Sequence, residues 1–486
     1  MTRLSNATLS LLPAGIDRPG YYRHGLKTGI VHLGLGAFHR AHLAALTETC
    51  LDAGATEWGI TAASLRSPDT RDALAPQDGL YTLGLRENDT QSLRVVGAIR
   101  DVLVAPENPQ ALLAAMADPS VRIVSLTITE KGYTANVASG DLQADNAGVQ
   151  HDLAHPETPR TALGFLTQAL ALRRAAGLAP FTILSCDNLP GNGHLLHRVL
   201  TQFANLRDPS LGRFMAEHVA CPSTMVDRIV PATTDADRAM VAARLGVEDA
   251  WPVLAEPFFQ WVIEDTFPTG RPDWGPAGAE FTPDVAPFEA MKLRLLNGAH
   301  TTIAAVGRLT GAVTVAEAFG NPVIRAFVTA LWTEVAPTIA PGIDVASYSA
   351  RLGKRFDNTA LNHRCVQIAT DSSLKVPQRL IAPLRELAAK GSPTPHLCFA
   401  IAAWIRSCQG TDEAGRPMPL SDPQLLAWKD LPGLDAAPAE TVQAFIALRP
   451  VFGQGLNADL TAAITSDLAD IQRLGVLDAS RQRLTA

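Results

Sequence analysis

Gly29-Ile30-Val31-His32-Leu33 reads as a short buried strand, and it runs without a spacer through Gly34-Leu35-Gly36-Ala37-Phe38-His39 into the helical stretch Arg40 to Ala53. A strand that turns through glycines directly into a helix leaves few folds open. A second strand-like run, Trp58 to Leu65, begins about 25 residues after the turn, the spacing of a βαβ unit in a dinucleotide fold. Gly34 would permit the tight bend, and Gly36 would let backbone approach a pyrophosphate held at the start of the helix, with Ala37 and Phe38 beside it. The third glycine of the usual fingerprint is absent; His39 stands in its place. A purely structural glycine turn therefore stays open, as does a reading in which Phe38 enters the core and His39, Arg40 and His42 lie on an exposed face. Asp69 is the nearest carboxylate after the second strand. It would hold ribose hydroxyls and favour NAD over NADP by repelling a 2′-phosphate, although Arg66 could tolerate that phosphate and Asp69 could simply cap a helix from Thr70 to Leu74.

Further along, LYTLGLREND and TQSLRVVGAI alternate around Glu87-Asn88-Asp89 and predict a hairpin appended to the parallel sheet. Val121 to Ile128 and Phe181 to Cys186 predict buried strands, with a helix from Thr161 to Ala176 between them. This half is expected to be α/β. The character of the chain changes after a Gly/Pro-rich stretch from Phe267 to Pro287, and beyond it Phe288–Arg308, Val323–Ala336, Leu374–Lys390 and Leu397–Arg406 have helical lengths and spacings. The boundary is placed near residue 286. This predicts a dinucleotide-binding domain over 1–286 and a mainly α-helical substrate-binding domain over 287–486.

Length agrees with two domains, since 486 residues exceed what one hydrophobic core usually serves. The net charge is −7 and no basic stripe is present, which argues for small-molecule partners and against nucleic acid. Six dispersed cysteines contain no CxxC pair, arguing against a disulfide framework and a zinc site. The first twenty residues lack a signal-peptide pattern and no segment approaches a membrane span, so a soluble cytoplasmic protein is expected, with no membrane partner.

The chemistry centres on KLRLLNGAH, which sets Lys292, Asn297 and His300 at offsets of 0, +5 and +8. On an α-helix they lie at roughly 0°, 140° and 80° and flank one side. Such a notch suits proton exchange with an alcohol or carbonyl oxygen, provided desolvation or neighbours bring the lysine towards neutrality. The alternative is a helix that shows Lys292 and Arg294 to solvent. Glu289, three residues before Lys292, shares its helix face and could relay protons or form a surface ion pair. Asn188 follows a predicted strand end, where it could donate to a substrate oxygen or merely shape the DNLPGNG turn. Asp227, at the end of another strand, could bind substrate hydroxyls or pair with Arg228. Lys131, in TEKGY after a third strand, could hold an anionic substrate group or be a solvated loop lysine.

Taken in order, GLGAFHRAH, TEKGY, SCDN, MVDRIVP, EPFFQWVIED and KLRLLNGAH resemble the mannitol dehydrogenase family of polyol-specific long-chain dehydrogenases and reductases, over residues 28 to about 420. The resemblance implies a zinc-independent, NAD-linked oxidoreductase with an α/β Rossmann-type N-terminal domain and a mainly α-helical C-terminal domain. Carried over by motif, Lys292 is the general acid/base, Asn188 and Asn297 hold the oxyanion, and His300 orients or contacts the reacting oxygen. No metal is expected, and the resemblance implies that monomers are common.

Within the family, TEKGY is similar to the fructuronate reductase subgroup, which implies interconversion of D-fructuronate and D-mannonate; the alternative is oxidation of a polyol such as mannitol, arabinitol or sorbitol. LNHRCVQIATDSSLKVPQRL follows the subgroup's pattern but departs from it at Thr370 and Ser372, where the pattern has methionine and glycine. By charge, Lys131, Arg364 and Lys375 are the candidates to receive a uronate carboxylate.

Overall fold

The computed structural model describes residues 2–136, 139–428 and 431–485, which form two compact units, Met1–Ala286 and Pro287–Ala486. The first unit is built on five parallel strands, ordered across the sheet as Ile99–Val104, Gly59–Ser64, Thr28–Leu33, Ile123–Leu126 and Thr182–Ser185. Their composition is what a sheet covered on both faces requires, because successive side chains point to opposite sides. Ile30, Ala62, Ile123 and Leu184 enter one core with Leu43, Leu46 and Leu51 of the helix Leu43–Asp52. Val31, Ala63, Val124 and Ile183 enter the other, against Leu112 and Met116 of Pro109–Ala117 and Leu163, Leu166 and Leu170 of Ala162–Ala175.

Two expectations for this unit need correction. The helix expected over Arg40 to Ala53 is two helices, Ala37–Ala41 and Leu43–Asp52, broken at His42, whose φ of −122° and ψ of −99° leave the helical region. Packing decides this: the buried imidazole lies 4.8 Å from Phe38, 4.6 Å from Phe259 and 5.2 Å from Trp261 between ring centroids. Second, the hairpin does form, as Tyr81–Glu87 paired antiparallel with Thr90–Val96, in its own three-stranded sheet with Val253–Ala255. Its second arm ends at Val96, however, rather than running on to Ile99, and after Gly97 and Ala98 the chain crosses to the parallel sheet as Ile99–Val104, a strand absent from the sequence reading. The Gly/Pro-rich stretch is packed into this unit. Trp274 within it is fully buried, 4.8 Å from Trp261 and donating to Thr47 Oγ1 at 3.2 Å, and Ala279–Thr282 pairs parallel with Gln260–Glu264. Two indoles outweigh the local turn chemistry, since each buries a large apolar surface.

The second unit is helical, and its described residues contain no strand beyond isolated bridges. Gly298–Thr310 and Pro395–Ser407 are buried nearly all round and pack on one another, with Ala458–Leu474 against the second. A helix apolar on every side belongs in a core. The run expected over Phe288 to Arg308 extends from Ala286 to Thr310, but Lys292–Asn297 within it is π-helical. A second π-helix, Pro377–Ile381, interrupts the run expected over Leu374 to Lys390. No helix among the described residues is long and apolar enough to cross a membrane.

Candidate active site

In the first unit the carboxyl ends of three adjacent strands, Thr28–Leu33, Ile123–Leu126 and Thr182–Ser185, gather one loop cluster, where open parallel sheets place their ligands. After Thr28–Leu33, Gly34 takes φ +94° and a Cβ there would lie 2.1 Å from Thr127 O, so only glycine makes this turn. Gly36 differs: it is exposed, its φ is −104°, and a Cβ would meet nothing nearer than Gly34 O at 3.9 Å. Gly34 therefore serves the turn, while Gly36 keeps space clear in front of half-buried Ala37 and Phe38.

His39, Arg40 and His42 are all buried, which excludes the exposed-face reading. The His39 ring stacks on His32 with centroids 3.4 Å apart and planes 14° apart. His32 in turn lies 2.9 Å from Ser125 Oγ through Nδ1 and donates from Nε2 to Gly34 O at 3.2 Å. A flat ring thus fills the position of the missing third glycine and still lets helix and strand approach. Burial, then His32, Arg40 and His42, hold His39 well below the ordinary imidazole range, and burial takes His32 to about 3. The sign follows. Below the unfolded value of 6.5 the unfolded chain binds a proton that native His39 refuses, so the native state loses about 1.4 kcal/mol per pH unit. His39→Phe is expected to be less acid-sensitive than the parent by about 2 kcal/mol between pH 6.5 and 5, measured by denaturant titration; equal losses would show that His39 takes up a proton in the native state.

Asp69 is the first residue of the helix Asp69–Leu74, with Pro68 at the cap position, and its exposed carboxylate accepts from Ser67 Oγ at 2.9 Å. At the next two strand ends the organising group is Asp187, which the motif SCDN contained but which had not been singled out. Its carboxylate accepts from Ile128 N at 3.0 Å, Thr129 N at 2.9 Å and Tyr133 Oη at 2.9 Å, and burial raises its pKa. These bonds hold Thr129 at a φ of +64° and fix the turn Glu130–Tyr133, on which Glu130 and Lys131 are exposed, next to exposed Asn188. Asn192 donates to Asp187 O and Thr224 O, both at 2.9 Å, tying in the strand Thr224–Asp227 that ends at buried Asp227.

In the second unit the π-helix changes the geometry of KLRLLNGAH. Gly298 N–H donates to Leu293 O, a bond between residues five apart, so residues five apart stack as residues four apart do in an α-helix. Asn297 therefore lies above Lys292 rather than roughly 140° away, and His300, three residues on in α-helix, continues the same row. Lys292 is 7% exposed, which excludes its solvent-facing reading, whereas Arg294 pairs with Glu386 at 2.7 Å. Trp332 Nε1 donates to Leu295 O at 2.9 Å and anchors the widened turn. Glu289 lies one α-helical turn earlier, in Ala286–Met291.

His300 is buried with centroids 4.8 Å from Phe356 and 5.1 Å from His363, and its Nε2 has no hydrogen-bond partner among the described residues. Burial, then His363, Arg355 and Arg379, hold it well below the ordinary range, so it is neutral near pH 7. A neutral imidazole with an open nitrogen can bond to a reacting oxygen.

The cations around His300 are not those expected from charge alone. Arg364 is exposed at the start of Cys365–Ala369, and Lys375 donates to Ile368 O and Thr370 O at the end of that helix. Arg355 and Arg379 are the arginines whose charge acts on His300. Arg379 sits in the second π-helix, donates to Thr301 Oγ1 at 3.2 Å, and is pushed down to about 10 by burial, still charged at neutral pH. Its carbonyl would lie 3.2 Å from a Cβ on Gly298, so the two π-segments abut there. The departure at Ser372 is structural, since its buried hydroxyl accepts from Trp404 Nε1 at 3.0 Å and donates to Asp422 at 3.3 Å. Among the described residues no group of three or more His, Cys, Asp or Glu side chains is placed to hold a metal ion.

Two family descriptions match in register with these units: the mannitol dehydrogenase Rossmann domain over residues 28–276 and the mannitol dehydrogenase C-terminal domain over residues 284–472. The chain belongs to the mannitol dehydrogenase family. As a member it is a dehydrogenase/reductase acting on CH–OH groups. It is 42% identical to D-mannonate oxidoreductase of Escherichia coli over 93% of this chain and 94% of that protein. It is 40% identical to mannitol 2-dehydrogenase of Pyrenophora tritici-repentis over 98% of this chain and 85% of that protein. The structure of Pseudomonas fluorescens mannitol 2-dehydrogenase in ternary complex with NAD and D-mannitol superposes with a TM-score of 0.84 at 38% identity, covering 100% of both chains.

Proposed function

We propose that this member of the mannitol dehydrogenase family uses NAD to interconvert D-fructuronate and D-mannonate. The observation that carries the chemistry is the row of Lys292, Asn297 and His300 built by the π-turn. In reduction Lys292 donates a proton to the ketone oxygen, and in oxidation it accepts the hydroxyl proton. Asn297 and Asn188 donate hydrogen bonds to that oxygen as negative charge develops, which is preorganised electrostatic stabilisation. Neutral His300 orients the oxygen through Nε2, and Glu289 passes the proton between Lys292 and solvent. Asp227 binds substrate hydroxyls.

The Gly34 turn fits a dinucleotide, because Gly36 leaves open the space where a pyrophosphate approaches backbone, and Ala37 and Phe38 flank it. Asp69 would hold the adenosine ribose. When bound, NAD supplies or accepts the hydride.

For a sugar acid rather than a polyol, support comes from the Escherichia coli relative and from the positive surroundings of His300, with exposed Lys131 a further cation at the strand-end cluster. The second reading, a polyol dehydrogenase, is favoured by the full-length likeness to the Pseudomonas fluorescens enzyme. Reduction of D-fructuronate with NADH deuterated at C4 separates them: mannonate carrying deuterium at C5 is expected by NMR, whereas turnover of fructose or mannitol alone would establish the polyol reading.

A further inference from the structure

Arg379, a half-buried cation of the helical unit, has no acidic partner among the described residues. Arg325, Arg294 and Arg483 each pair with a carboxylate, of Asp357, Glu386 and Asp467 respectively. Arg308 and Arg406 donate to the backbone carbonyls of Pro419 and Thr411. Arg379 donates to a neutral hydroxyl, Thr301 Oγ1 at 3.2 Å, and no aspartate or glutamate among the described residues lies within ion-pair distance. Half-buried Arg379 therefore keeps most of its donor fork uncommitted and open to an arriving group, and an anion completes such a fork through charge-assisted hydrogen bonds.

Its position says which anion. Thr301 follows His300 directly, and the backbone of Arg379 abuts Gly298 between Asn297 and Ala299. The guanidinium is therefore anchored one residue from the group that orients the reacting oxygen. It is also set by its own π-helix, a device concentrated at functional positions because it re-aims a side chain without breaking the helix. A planar fork with free donors matches a carboxylate through two parallel hydrogen bonds, which a lysine cannot reproduce.

We propose that Arg379 receives the carboxylate of the sugar-acid substrate and is the residue by which this enzyme selects an acid. The assignment rests on the sugar-acid reading of the site. It differs from selection by Lys131, Arg364 or Lys375, none of which acts on His300 as the Arg379 guanidinium does.

The test is steady-state kinetics of Arg379→Gln and Arg379→Lys on D-mannonate with NAD, together with NADH affinity by fluorescence titration. The carboxylate is held alike in ground and transition states, so the loss should fall on KM: kcat/KM down roughly 100-fold for the Gln variant and roughly tenfold for Lys, with kcat changed much less and NADH affinity kept. The Lys variant decides the matter if the Gln variant is unstable. Unchanged KM, or a loss carried by kcat with KM constant, overturns the assignment while leaving the mannonate reading intact. Parent enzyme that turns over mannitol and no sugar acid overturns both, and is recognised because the failure precedes any substitution.

Discussion

Lys292→Ala is expected to lower kcat for the hydride-transfer reaction roughly 1,000-fold or more, while NADH binds with nearly unchanged affinity. General acid/base groups typically contribute about 100- to 10,000-fold, and this lysine is the group proposed to transfer the proton, in the row that Asn297 and His300 extend. Removing it leaves the ketone oxygen hydrogen-bonded but without a proton source, so the loss belongs to the chemical step. The π-turn itself should survive, because its bond from Gly298 N–H to Leu293 O and its anchor from Trp332 to Leu295 O do not involve the Lys292 side chain. Single-turnover absorbance of NADH and circular dichroism of the same sample check both halves. A variant with a tenth or more of the parent kcat would remove Lys292 from the role assigned to it.

Gly34→Ala and Gly36→Ala should separate folding from cofactor binding within one turn. At Gly34 the new methyl would meet Thr127 O at 2.1 Å and the backbone sits at φ +94°, so both must shift. The cost is about 3 kcal/mol or more in stability of the first unit, with loss of the strand-end cluster that Thr127 joins. At Gly36 neither strain arises, and the variant should unfold within about 0.5 kcal/mol of the parent. Its methyl would instead occupy the space proposed for the pyrophosphate, weakening NADH roughly tenfold or more. Thermal denaturation and NADH titration of both proteins test the pair; a Gly36→Ala variant that binds NADH normally would show that the cofactor does not approach this backbone.

The strand, glycine turn and helix around Gly34 were readable because each rests on local chemistry: an apolar run, a positive φ and a following periodic segment. So was the change from α/β to helix, which composition alone announces. What escaped depends on distant partners. Ile99–Val104 escaped because Ile99 continues the apolar pattern of Thr90–Val96, and only sheet pairing separates the two strands at Gly97. Trp274 overrides a stretch rich in turn formers by packing on Trp261, thirteen positions away in sequence and adjacent in space. The π-turns are not announced by periodicity, since each displaces the apolar pattern by only one residue within a short run, yet one of them aligns Asn297 with Lys292. Cations followed the same rule. Arg364 and Lys375 were plausible by charge, but a nearby helix end takes up Lys375, and packing brings Arg355 and Arg379 to His300 instead. Asp187 lay inside a quoted motif, and its role appears only when two strand ends meet around it.

The central claim is that this oxidoreductase works on a sugar acid. It is tested most directly by the ratio of kcat/KM for D-mannonate to that for D-mannitol, measured with NAD on the unmodified protein. A ratio of roughly 100 or more in favour of mannonate is predicted from a charge-assisted carboxylate contact. A ratio below one would contradict it.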